Sequence, residues 1–137
     1  MIVNRRTFLK KSSASTCACL AIGGAVSSCA TARFVPYQLS ENRIAVKKSD
    51  FEDDDYVLVK VEQLAEAIFI YKKDNSYSAV LTRCTHKACE VRPAGTTLRC
   101  PCHGSEFDFE GIVLEGPAED NLNKFDVETD DEIIYVS

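Results

Sequence analysis

The sequence predicts a small all-β domain with antiparallel strands, and three observations support this fold class. Apolar and polar residues alternate in short stretches, turn-forming residues recur at short intervals, and no stretch has the pattern of a long amphipathic helix. The chain of 137 residues has room for one domain of about 100 residues and a short appendage. A domain of this size buries a modest core, so a metal ion or a disulfide is an expected staple.

The predicted strands follow one another along the second and larger part of the chain. They lie at 43–48 (RIAVKK), 56–61 (YVLVKV), 67–73 (AIFIYKK), 77–83 (YSAVLTR) and 132–137 (EIIYVS). The third and fourth strands are expected to form a hairpin, because Asp74-Asn75-Ser76 between them are turn-forming residues. The one helical pattern lies at 61–68 (VEQLAEAI).

Residues 1–32 have the layout of an export signal. A basic start is followed by a run without charge from Ser12 to Ala32. Residues 5–10 (RRTFLK) resemble the twin-arginine export signal, with Asn4 where that pattern has Ser or Thr. The resemblance implies export in the folded state, with any cofactor already inserted. A retained membrane-spanning helix is the alternative, and the many Ser, Thr and Gly residues of the run disfavour it.

A cysteine near the end of this run raises the question of how the N-terminus is processed. Val26-Ser27-Ser28-Cys29 resembles a bacterial lipobox, which implies lipidation of Cys29 and a lipid anchor in the membrane. Residues 30–32 also fit an ordinary cleavage site, in which case Cys29 is a small apolar residue of a discarded segment. Residues 33–42 are then a short connector to the domain at 43–137.

The charge distribution argues against nucleic acid as a partner. Four basic residues lie at the extreme N-terminus, and the remainder carries 12 Lys and Arg against 21 Asp and Glu. A nucleic-acid-binding face needs the opposite sign. The acidic cluster at 50–55 is most simply a solvated loop. The alternative is a docking patch for a basic partner protein, where charge would raise the association rate.

Two short stretches hold both histidines of the chain and four of its seven cysteines: CTHKAC at 84–89 and CPCHGS at 100–105. Two Cys/His clusters on separate loops can converge on one centre, and their ligand types indicate zinc, iron or an iron–sulfur cluster. Two structural disulfides with incidental histidines are a second interpretation. A structural zinc site is a third, although zinc takes four ligands and six candidates are present.

The sequences of the two stretches resemble the cluster-binding boxes of the Rieske family, Cys-Thr-His-x-Gly-Cys and Cys-Pro-Cys-His-Gly-Ser. The resemblance continues through 106–118 (EFDFEGIVLEGPA), where Gly116-Pro117-Ala118 matches the loop that covers the cluster in that family. It implies an antiparallel Rieske-type domain with a cluster-binding subdomain formed by two loops. It also favours a Rieske 2Fe–2S cluster strongly over zinc.

The resemblance implies a role for each cysteine and histidine in the two boxes. Cys84 and Cys100 would bind one iron, and His86 and His103 would bind the other at the exposed tip. Cys89 and Cys102 would form a disulfide that ties the loops together. That bond needs an oxidising compartment, which agrees with the export signal.

Neighbouring residues bear on the reduction potential. Ser105 matches the family serine whose hydroxyl donates to a cluster sulfide, and Phe107 stands where high-potential members have a tyrosine donor. A cluster with two thiolate ligands carries less negative charge than one with four, so adding an electron costs less energy. The reduction potential is therefore higher, at roughly −150 to +300 mV. Without the tyrosine donor we expect the middle or lower part of this range. Ala88 replaces the family glycine of the first box.

These features predict one-electron transfer by an exported or lipid-tethered carrier or accessory redox subunit at the periplasmic face of a bacterial cytoplasmic membrane. Expected partners are redox proteins such as a cytochrome, a quinol-oxidising complex or a molybdenum enzyme. The alternative is the Rieske subunit of a quinol:cytochrome c reductase or of an arsenite-oxidase-like enzyme. A Rieske oxygenase subunit would need a second domain with a mononuclear iron site built on two further histidines. Both histidines of this chain lie in the two boxes, so catalysis by this chain alone is not expected. A further candidate, from a different class of function, is a structural metal-binding module without redox activity.

Overall fold

The computed structural model describes residues 33–137, and their secondary structure consists of short strands joined by turns. The strands are β1 Gln38–Ser40, β2 Arg43–Lys47, β3 Tyr56–Val59, β4 Ile68–Lys73, β5 Ser76–Leu81, β6 Arg92–Ala94, β7 Thr97–Arg99, β8 Glu106–Phe107, β9 Val113–Glu115, β10 Lys124–Phe125, β11 Val127–Thr129 and β12 Ile133–Val136. A 3-10 helix at Lys48–Phe51 follows β2.

Three four-stranded sheets are built from these strands. We call them the terminal sheet (β1-β2-β12-β11), the central sheet (β10-β5-β4-β3) and the loop sheet (β6-β7-β8-β9). All pairings between the named strands are antiparallel, so the predicted all-β antiparallel fold is confirmed. No helix within 33–137 has the length and hydrophobicity needed to cross a bilayer. The predicted export signal and Cys29 lie outside the described residues.

The central sheet is buried on both faces. Successive side chains of a strand point to opposite faces, and in β4 Ile68, Phe69 and Ile70 are all fully buried. Ile68 and Ile70 pack in one core with residues of the terminal sheet, while Phe69 packs in a second core with residues of the loop sheet. Burial on both faces explains why this strand is a nearly continuous apolar run.

The five strands predicted from the sequence correspond to β2, β3, β4, β5 and β12, and the predicted hairpin between β4 and β5 is confirmed. The helix that the pattern at 61–68 indicated is not formed, because this segment forms turns. Val61 and Ala67 are buried there, and the Leu64 N–H donates to the Val61 carbonyl (3.0 Å). Apolar residues spaced as in a helix are here buried by turns that connect two strands of one sheet.

Residues 33–42, expected to be a connector, pack against the domain. They contain β1, and the Val35 N–H and the Arg33 carbonyl form hydrogen bonds of 2.9 Å with the two backbone groups of Leu58. The Arg33 guanidinium donates to Glu52 (2.7 Å) and lies 3.5 Å from Asp54. Arg33 therefore lowers the pKa of Glu52 and neutralises part of the acidic cluster at 50–55. Docking of a basic partner on that cluster stays a prediction.

The turn between β11 and β12 depends on one carboxylate. Asp130 accepts hydrogen bonds from the backbone N–H groups of Ile133 (2.7 Å) and Glu132 (2.8 Å) and from the Tyr135 hydroxyl (3.0 Å). These bonds, the one from Ile133 foremost, hold the pKa of Asp130 below its ordinary value. The ionised form therefore stabilises the folded state above the unfolded pKa of about 3.9. This contribution is lost as the pH falls through the lower, folded-state pKa.

We predict that Asp130→Asn lowers the stability at pH 7 and that the deficit shrinks as the pH falls through the folded-state pKa of Asp130. The amide keeps an acceptor oxygen but not the charge. Urea unfolding midpoints between pH 7 and pH 3 measure this, with Asp131→Asn as a control that removes the same charge one residue away. Equal pH dependence in both variants and the wild type would contradict the assignment.

Candidate metal centre

Two hairpin tips carry the cysteines and histidines of the two boxes. The first loop, 84–89, follows β5, and the second loop, 100–105, joins β7 to β8. Each is bracketed by an arginine and a glutamate that face each other across the hairpin: Arg83 with Glu90, and Arg99 with Glu106. The two loops are therefore held at their bases in the same way.

The two loops also have the same internal hydrogen bonds. In the first loop the Cys84 N–H donates to the Cys89 carbonyl (2.9 Å), and the Ala88 N–H donates to the Cys84 carbonyl (2.8 Å). The second loop repeats both bonds at the equivalent positions, with lengths of 2.8 and 3.0 Å. Each loop thus fixes the backbone of its first residue, which is a cysteine in both cases.

A disulfide joins the two loops. The sulfur atoms of Cys89 and Cys102 are 2.08 Å apart, so the pairing implied by the family resemblance is confirmed. Cys84 and Cys100 are free cysteines and are almost completely buried, with exposed fractions of 2% and 1%. The interpretation with two structural disulfides is therefore wrong for these four cysteines.

The two histidine rings lie close together in an edge-to-face arrangement. The ring centroids of His86 and His103 are 4.8 Å apart, with the ring planes at 86°. His103 is exposed and His86 is half-buried. The Nδ1 atom of His86 is buried without a hydrogen-bond partner among the described residues. A buried polar atom of this kind calls for a partner, and a metal ion is a suitable one because neutral imidazole nitrogen is a common metal ligand.

The sulfur atoms of Cys89, Cys100 and Cys102 lie within 4.8 Å of one another. This group is not a three-thiolate metal site, because two of its members are bonded to each other. Cys100 therefore contributes the one free thiol of the group. The donors that the two loops offer to a metal centre are two buried thiols and two imidazoles.

A third segment, 116–120, covers the two loops, and we call it the covering segment. The Thr85 hydroxyl of the first loop donates to the Asp120 carbonyl (2.6 Å). In the second loop the Ser105 hydroxyl accepts a bond from the Ala118 N–H (3.0 Å). Ser105 is fully buried, and among the described residues its hydroxyl donates to no acceptor, so its proton is free to be donated to a bound group. Pro117 of this segment is exposed.

Phe107 lies below the loops in β8, fully buried, in the same core as Cys84 and Cys100. It faces Leu98 in β7 and Val113 in β9. Phe107, which was expected to influence the reduction potential, therefore lies in the same packed core as both free cysteines.

Sequence reasoning missed the bracketing pairs and the contact between Thr85 and Asp120. A signal for the brackets exists, because residues 83–90 and 99–106 share the pattern Arg-Cys, four intervening residues, Cys or Ser, and Glu. The equivalent backbone bonds show that this is a structural repeat of two loops. No comparable signal marks Asp120, whose backbone carbonyl makes the contact.

The fold and the site together define a class of protein: a small antiparallel β domain in which paired loops bring together two free thiols and two imidazoles. Residues 42–126 match the family model described as the Rieske [2Fe-2S] domain. The chain belongs to this family, and its cofactor is a 2Fe–2S cluster. The free thiols, the adjacent imidazoles and the unpartnered nitrogen of His86 fit such a group.

Relatives with known names share this region. The cytochrome b6-f complex iron-sulfur subunit 2 of Nostoc sp. is 37% identical over 60 residues, which cover 42% of this chain and 34% of the subunit. The cytochrome b6-f complex iron-sulfur subunit of Chlorobaculum tepidum is 31% identical over 74 residues, covering 53% of this chain and 41% of the subunit. The chain thus matches less than half the length of these curated relatives.

A solved structure resembles the domain over a larger share of its length. The cyanobacterial plasma membrane Rieske protein PetC3 of Synechocystis is 26% identical, with a TM-score of 0.57. The match covers 66% of this chain and 94% of that one.

Ala88 is a point of local strain in the first loop. Its φ of +57° lies in the left-handed region, as does the φ of +83° of Gly104 at the equivalent position of the second loop. The left-handed conformation costs an L-residue about 1–2 kcal/mol, and glycine adopts it freely at an entropic cost of about 0.5–1 kcal/mol.

We predict that Ala88→Gly increases the free energy of unfolding by about 0.5–1 kcal/mol. Ala88 is exposed, so no packing is lost. The matched variant is Gly104→Ala, whose added Cβ meets no atom within 4 Å and which should be destabilised by a similar amount. Thermal unfolding of the loaded protein measures both. Destabilisation by Ala88→Gly would show that the alanine has a favourable role in the loop.

Proposed function

We propose that this protein transfers single electrons outside the reducing interior of the cell. A Rieske cluster, when bound, supplies a one-electron redox centre of comparatively high potential. Cys84 and Cys100 would hold one iron in the buried part of the site, and His86 and His103 would hold the other at the surface. The exposed side of this site is where a redox partner would approach.

The observation that carries this proposal is the division of the four donors by burial. Both thiols lie in the core shared with Phe69 and Leu98, whereas the adjacent imidazoles lie at or near the surface. Such an arrangement shields the sulfur side from water and leaves the histidine side accessible. It supports exchange of electrons with a protein or a small redox molecule at the tip of the two loops.

An oxidising location is supported by the Cys89–Cys102 disulfide, because such bonds persist mainly in exported proteins. The twin-arginine-like stretch at 5–10 points to the same compartment. We propose the periplasm or the periplasmic face of the cytoplasmic membrane, with lipidation at Cys29 as the anchor. Mass spectrometry of the mature N-terminus distinguishes a lipidated Cys29 from a cleaved or a retained segment.

The experiment that tests the function is metal and sulfide analysis followed by voltammetry. We predict about two iron and two acid-labile sulfide per chain and a one-electron wave between roughly −150 and +300 mV. Cys84→Ser and Cys100→Ser should lose the iron, whereas Lys87→Ala, which changes an exposed residue of the first loop, should retain it. An iron-free protein that binds zinc instead would support the structural module.

Phe107 gives a prediction for the potential itself. A tyrosine hydroxyl at this buried position would lie in the core that holds both free cysteines, where it can donate to a sulfur atom. Phe107→Tyr should raise the potential by roughly 20–60 mV, because a hydrogen bond contributes about 0.5–1.5 kcal/mol and 59 mV corresponds to a factor of ten for one electron. An unchanged potential in a variant with full iron content would show that position 107 does not reach the centre.

A second candidate function is that of a subunit in a larger quinol-oxidising or molybdenum-containing complex. The named relatives in Nostoc and Chlorobaculum are subunits of a cytochrome complex, which favours this candidate. Phe107 favours a carrier or accessory subunit, since it lacks the donor associated with high potential. Purification from native membranes separates the two, because a subunit co-migrates with other chains and a carrier does not.

A further inference from the structure

The free thiol of Cys100 lies close to a bond that it could attack. Its sulfur atom is within 4.8 Å of both sulfur atoms of the Cys89–Cys102 disulfide. Cys84, the other free cysteine, is not a member of this three-sulfur group. Cys100 is therefore the free thiol that lies close to both sulfur atoms of the disulfide.

We propose that Cys100 undergoes thiol–disulfide exchange with the Cys89–Cys102 bond whenever the 2Fe–2S cluster is absent. The Cys100 sulfur attacks the sulfur of Cys89 and loses its proton as the new bond forms. A bond forms between Cys89 and Cys100 while the bond from Cys89 to Cys102 breaks. The Cys102 sulfur leaves with the electron pair and takes up a proton, so the exchange needs no external oxidant or reductant.

Exposure decides which sulfur leaves. Cys102 is exposed and Cys89 is half-buried, and a departing thiolate is stabilised where water can reach it. The alternative attack, on Cys102, would release the less exposed cysteine and close a small ring between residues two apart in the second loop. Attack on Cys89 instead yields a bond between 89 and 100, which still joins the two loops.

The exchange would turn Cys102 into a reactive, solvent-exposed thiol and remove Cys100 from the ligand set. A chain that loses its metal group in an oxidising compartment would then be unable to rebind it without reduction. The protection of Cys100 by a bound metal group rests on the proposed ligand role of this residue. The exchange in the metal-free chain rests on the positions of the three sulfur atoms.

Disulfide mapping tests the proposal. The purified full chain is divided, one half is stripped of metal with a chelator under anaerobic, non-reducing conditions, and both halves are incubated at neutral pH. Acid quenching, alkylation of free thiols and peptide mass spectrometry then identify the pairs. We expect Cys89–Cys102 in the loaded half. In the stripped half we expect Cys89–Cys100 and at least a tenfold rise in alkylated Cys102.

Two variants sharpen the test. Stripped Cys84→Ser should exchange as the wild type does, and stripped Cys100→Ser should keep Cys89–Cys102. In the stripped wild type Cys84 should remain alkylatable throughout. The proposal is overturned if that protein keeps Cys89–Cys102 with Cys100 alkylated, or if Cys84 enters a mixture of pairings, which would indicate unfolding. Because the stripped half is mapped without a cluster, its result is independent of the electron-transfer proposal.

Discussion

The covalent bond between Cys89 and Cys102 is the constraint on which the arrangement of the site depends. The two loops belong to separate hairpins, and each is ordered internally by two backbone hydrogen bonds. The disulfide closes a sequence separation of 13 residues, a cross-link worth about 3 kcal/mol if it acts by restricting the unfolded chain. It holds the two loops together, and the rings of His86 and His103, one from each loop, lie 4.8 Å apart.

Burial supplies the second constraint. The central sheet is covered on both faces, and the core on its loop-sheet side includes Cys84 and Cys100 together with Phe69, Leu98 and Phe107. Packed interiors leave side chains little freedom, so this core restricts the positions of both thiols. The covering segment completes the enclosure through its contacts with Thr85 and Ser105. The site is thus built from a rigid sulfur side and a more exposed imidazole side.

The accuracy of the sequence-based predictions follows the physical origin of each feature. Alternating and continuous apolar runs predicted β2 to β5 and β12, because burial of one or both faces of these strands requires an apolar pattern within the strand itself. The pattern at 61–68 failed because turns buried the same apolar residues. β1 at Gln38–Ser40 was missed, since its residues are largely exposed and its pairing with β2 carries no periodic signal.

The sequence by itself indicated the family, the candidate ligands and the Cys89–Cys102 pairing through the resemblance of its two boxes to those of the Rieske family, because binding such a cluster requires cysteine and histidine side chains in a fixed order. It could not show that the Asp120 carbonyl accepts a hydrogen bond from the first loop, or that the Cys100 sulfur lies within 4.8 Å of both disulfide sulfurs. Those features depend on distances between residues far apart in the chain. Only the packing of the two hairpins against the central sheet and the covering segment sets these distances.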